Sequence, residues 1–163
     1  MIRRVLLFQL LILLGTASAQ KVPDSALIPI TVDSIRLRIE LNREKEMLSP
    51  GNEEEVHKLL GTTRLDSKTS KQFIKRISKK GSYSYGRALL THHSLVFTCF
   101  SNEKVALTVH ISTLTRNISL YKEGTDSFYG KISKKLGNYL VKLLVRLNLY
   151  EQLHETGDTE GID

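Results

Sequence analysis

The sequence predicts a small α+β domain: a small antiparallel sheet with a central hairpin, short helices before it, and a long amphipathic C-terminal helix packed on the sheet. Three features carry this. Apolar and charged residues alternate from Ile35 to Leu41. Two apolar, β-branched runs, residues 93–100 and 105–114, flank a short polar turn. From Phe128 onward, apolar residues recur at helical spacing.

At the amino end, Arg3 and Arg4, an apolar run over residues 5–14 broken only by Gln9, and Ala17-Ser18-Ala19 form the pattern of a cleavable secretory signal over residues 1–19. The working protein is expected to begin at Gln20 and to be periplasmic or extracellular. A hydrocarbon core about 30 Å thick takes roughly 20 apolar residues, so no transmembrane anchor is expected after cleavage. The single cysteine, Cys99, lies far downstream and offers neither a lipidation site behind the signal nor a partner for an internal disulfide. Its apolar neighbours mark it as a buried thiol. Loss of Arg3 and Arg4 with the signal lowers the formal charge from +7 to +5.

Residues 20–30 read as an extended lead-in and residues 31–154 as one domain. Over residues 32–47 the alternation favours a strand, although Val32, Ile35 and Ile39 would also serve a helix. Ser49-Pro50-Gly51 stops that element. Asn52, with Glu53, Glu54 and Glu55 at the positive end, is expected to cap a short helix through Leu60 that Gly61 ends. A second helix is expected over residues 67–79, turning Phe73, Ile74 and Ile77 inward.

The hairpin follows, with residues 101–104 as its loop. If Phe100 pairs with Val105, then Val96, Phe100, Val105, Leu107, Val109 and Ile111 share a core-facing side. A further strand is expected over residues 117–122. The longest helix is expected from Asp126 or Ser127 to Leu153, with Lys131, Lys134, Lys135, Lys142 and Arg146 opposite its apolar face. The acidic end, residues 155–163, reads as disordered.

The order Ser82-Tyr83-Ser84-Tyr85, then Leu95-Val96-Phe97, the turn Asn102-Glu103-Lys104 and an amphipathic segment from Phe128 resembles a group of small exported proteins of Bacteroidota to which no activity is assigned. The resemblance covers under half of the chain and implies fold and export alone. The group's cysteines before the first hairpin strand and at the end of the second are replaced here by Leu89-Leu90 and Ser112-Thr113-Leu114-Thr115.

No phosphate-cradling loop, HExxH helix, GxSxG elbow or CxxC pair occurs in the chain. His93 and His110 could begin a metal site or an enzyme, but they lack a third ligand in the pattern, and no cofactor is expected. Charge is more telling. Eight cations between Arg64 and Arg87 face the single acid Asp66, so this segment carries +7. Lys71, Lys75, Arg76, Lys79, Lys80 and Arg87, with Tyr83 and Tyr85 to stack on a ring, form the candidate anion-binding set. The expected partner is an anionic glycan, a lipid surface or an acidic protein rather than nucleic acid, and the expected function is non-enzymatic binding. The alternatives are the histidine site and an assembly role for the apolar face of the C-terminal helix. Asn117-Ile118-Ser119 fits the N-glycosylation pattern.

Overall fold

The computed structural model describes residues 22–23, 27–28, 31–42, 57–86, 94–156 and 159–162. The proposed signal over residues 1–19, Arg87 and His93 lie outside these.

Seven strands form one antiparallel sheet: β1 (Ser34–Asn42), β2 (His57–Leu65), β3 (Tyr83–Ser84), β4 (Leu95–Ser101), β5 (Lys104–Ile111), β6 (Asn117–Tyr121) and β7 (Phe128–Ile132). Their order across the sheet is β2-β1-β4-β5-β6-β7-β3. Among the described residues three helices accompany them, α1 (Ser67–Ile77), α2 (Lys134–Arg146) and α3 (Tyr150–His154), with one 3-10 turn at Lys80–Ser82. The fold is therefore α+β. Among the described residues no helix is long and apolar enough to cross a membrane.

The alternation in β1 does what its period requires. Ile35, Leu37 and Ile39 are fully buried while Arg36 and Arg38 point to the other side. α1 forms where the sequence places it, with Asp66 as its cap and Phe73 and Ile77 buried. The Phe73 ring stacks on Phe97 of β4 at 4.1 Å between centroids, which fixes the helix to the centre of the sheet.

Four expectations are corrected. First, Leu60 and Gly61 do not end a helix; they lie inside β2, where the pairing with β1 shifts between Ile39 and Glu40. A Cβ built on Gly61 would stand in ordinary contact with the Leu149 side chain, at 3.5 Å. Second, the hairpin loop has two residues, not four. Asn102 and Glu103 both take positive φ, 49° and 64°, and Ser101 pairs with Lys104.

Third, Phe100 does pair with Val105, but the register shifts at once, so that Cys99 faces Leu107 and Ala106 is the extra residue. One inserted residue moves a strand's side chains to the opposite face. The core side is consequently Leu95, Phe97, Cys99, Leu107, Val109 and Ile111, whereas Val105 is 53% exposed.

Fourth, there is no long C-terminal helix. Residues Phe128–Ile132 are strand β7, Ser133 caps α2, and Asn148 at φ 56° separates α2 from the short α3. In β7, Phe128 and Ile132 are buried around Gly130, where a Cβ would stand 2.7 Å from the Phe128 ring.

Leu27 and Ile28 of the lead-in belong to the core. In the C-terminal segment, Thr159 and Ile162 are buried. Gly161 permits this by lying against the backbone of Thr113 and Leu114, where a Cβ would come within 2.2 Å of the Leu114 oxygen.

Candidate anion-binding groove

The groove begins with two helix caps. Asp66 accepts the Thr69 N–H at 2.8 Å and the Thr69 hydroxyl at 2.6 Å, closing the first turn of α1. Those bonds hold the Asp66 carboxyl below its ordinary range, the hydroxyl contributing most and the backbone N–H next. Ser133 accepts the Leu136 N–H at the start of α2, donates its hydroxyl to Gly81 O at 2.7 Å, and donates its own N–H to Ser82 O at 2.8 Å. The start of α2 is thus pinned beside the turn that follows α1. At the other end Arg146, the last residue of α2, donates from Nη2 to Thr69 Oγ1 at 3.0 Å. The two helices therefore lie side by side and antiparallel.

Their apolar faces enter the core through Phe73 and Ile77 of α1 and through Leu136, Leu140, Leu143 and Leu144 of α2. What remains outside is a cavity of about 420 Å³ between them. Gln72, Lys75, Arg76 and Lys79 form one wall, and Tyr139, Lys142, Leu143 and Arg146 the other. Among the described residues five cations line this space and no acid does. Among the described residues none of the five is in an ion pair. A second depression, of about 370 Å³, sets Asp33 and Glu103 beside Arg36 and Arg64, so its charges balance. The helix groove is therefore the place where positive potential accumulates.

Tyr139 forms its floor. The Arg76 guanidinium lies over the Tyr139 ring, 5.5 Å from its centre. The Tyr139 hydroxyl is shut off from solvent and has no hydrogen-bond partner among the described residues. Leaving a buried hydroxyl unpaired costs about 1–3 kcal/mol, so this one calls for an explanation. Burial raises the Tyr139 pKa more than the neighbouring Arg146 and Arg76 lower it, which keeps the group a proton donor at neutral pH.

Of the residues the sequence nominates, Lys75, Arg76 and Lys79 line the groove, and Lys71 and Lys80 are exposed outside it. Tyr85 is also exposed, at 66%. Tyr83 cannot stack on a ligand. It is buried, edge-on to Phe128 at 5.3 Å, with its hydroxyl on Ile77 O, and burial drives its pKa upward. Lys142 and Arg146 were legible only as a basic helix face, and Tyr139 only as a core position; nothing local says that they meet α1.

His110 lies opposite Val96, with its ring edge-on to Tyr121. Among the described residues no cluster of three or more His, Cys, Asp or Glu side chains forms. Cys99 is fully buried and its thiol pKa is pushed up to about 12 by burial, so it is not an available nucleophile. Asn117 is buried within β6, and the folded chain does not present it for glycosylation.

Comparisons with protein-family models, with curated proteins and with solved structures find no match.

Proposed function

We propose that this chain is an exported, non-enzymatic binding module that takes an anionic ligand into the groove between α1 and α2. The observation that carries this reading is the convergence of Lys75 and Arg76 of α1, Lys79 just beyond its end, and Lys142 and Arg146 of α2 on one cavity that, among the described residues, no acid lines. Like charges brought together without partners repel, and an anion seated among them removes that cost. The concave form favours a ligand that enters between two walls, such as a segment of anionic glycan, over the flat surface of a bilayer. On α2, Lys142 and Arg146 stand one helical turn apart, about 6 Å, as suits a chain carrying one charge per repeat.

The test is retention on an immobilised sulfated glycan. Wild-type protein should bind in low salt and elute as ionic strength rises. The variant Lys75→Glu, Lys79→Glu, Lys142→Glu should pass through unretained at about 0.15 M salt. Equal retention of the two proteins would remove the reading.

A further inference from the structure

Resting on the groove reading, the geometry points to a seat for the terminal group of a phosphate or sulfate ester within that groove, held by Arg76 and Arg146 with the Tyr139 hydroxyl as third donor. Arg76 and Arg146 come from opposite walls and line the same cavity as Tyr139. A guanidinium presents several N–H groups in a planar fork that matches an oxyanion. Arg146 spends one nitrogen on Thr69, which is itself held by Asp66, so its position is set before any ligand arrives while its other donors stay open. Arg76 is exposed and rests over the Tyr139 ring, so an anion drawn to its guanidinium is brought beside the residue that carries the buried hydroxyl.

The three donors discriminate between anions. A carboxylate has two oxygens and is satisfied by the two arginines, which leaves the Tyr139 hydroxyl unpaired. A tetrahedral ester ends in three oxygens and satisfies all three. The cavity, at about 420 Å³, exceeds what one phosphate fills and leaves room for the sugar or headgroup that bears it. Lys75, Lys79 and Lys142 then supply attraction without direction.

The experiment titrates full-length mature protein with inorganic phosphate and with acetate, in wild type and in Tyr139→Phe. Wild type should bind phosphate about tenfold more tightly than acetate, and Tyr139→Phe should lose that preference by weakening phosphate alone. The variant should melt at or above the wild-type temperature, since it removes an unpaired buried hydroxyl. An unchanged phosphate preference in Tyr139→Phe, or none in wild type, overturns the seat. Glucose 6-phosphate and phosphatidic acid vesicles then identify the source, because tighter binding of either over free phosphate supports the seat and names the sugar ester or the lipid headgroup as its bearer. Loss of sulfated-glycan retention in the triple glutamate variant, with phosphate preference intact in Tyr139→Phe, overturns the seat while the groove reading stands.

Discussion

Thr69 has one hydroxyl proton and gives it to Asp66 Oδ2, so its contact with Arg146 Nη2 is accepted by the oxygen's lone pair. That polarity ties the charge state of Asp66 to the far end of α2. Protonating Asp66 removes the acceptor that orients the hydroxyl and frees Thr69 to rotate away from Arg146. The direction of the pH dependence follows from the lowered pKa of Asp66 in the folded chain. A carboxyl with a folded pKa below its unfolded one contributes stability that is complete above the unfolded value and lost as pH falls through the folded value. Urea melts from pH ~5 to ~2 should therefore show wild-type stability declining, with Asp66→Asn declining less steeply over the same range. Parallel curves would show that Asp66 is not part of the acid response.

At the scale of single elements, the β4–β5 hairpin carries a local conflict. A two-residue turn with both φ values positive favours Asn-Gly, yet Glu103 holds the glycine position at φ 64°. A left-handed residue with a side chain is strained, so Glu103→Gly should raise unfolding stability by about 1 kcal/mol in urea melts. A loss of stability would mean that the Glu103 side chain holds the turn through contacts of its own.

The same hairpin shows how far a pattern reaches. The two strands and one true pair, Phe100 with Val105, are legible in the residues, but the extra residue Ala106 has no signature in the pattern, and it decides which side is core. The C-terminal segment fails for a related reason. Phe128, Ile132, Leu136 and Leu140 recur every four residues, and a spacing of four satisfies both the helical period and the two-residue period of a strand. Only Gly130 and the cap at Ser133 mark the change from β7 to α2. The acids Glu53, Glu54 and Glu55 read in the sequence as a helix start and lie outside the described residues, while the pairing with β1 makes residues from His57 onward a strand.

On the scale of the whole molecule, both basic stretches of the groove are plain in the sequence, one in α1 and one in α2. Their meeting is not, because it depends on antiparallel packing of two helices separated by five strands. The charges gathered by that packing work against stability: Lys134 and Lys135 open α2 at its positive end, with no acid in the first turn, and five cations, none in an ion pair among the described residues, line one groove. Residues that repel in the unliganded fold and lie around one cavity are better explained by a ligand than by folding. The variant Lys75→Gln, Lys79→Gln, Lys142→Gln should accordingly be more stable than wild type in low salt, by a few degrees in melting temperature if about 1 kcal/mol of repulsion is removed. The gap should close as salt rises, because screening falls to about 3 Å at 1 M and acts on the wild-type groove alone. Adding a sulfated glycan should reverse the order, raising the wild-type melting temperature through binding and leaving the glutamine variant where it was. A variant that melts below wild type in low salt would show that these lysines are held by the fold rather than set against it, and the argument from repulsion would fail.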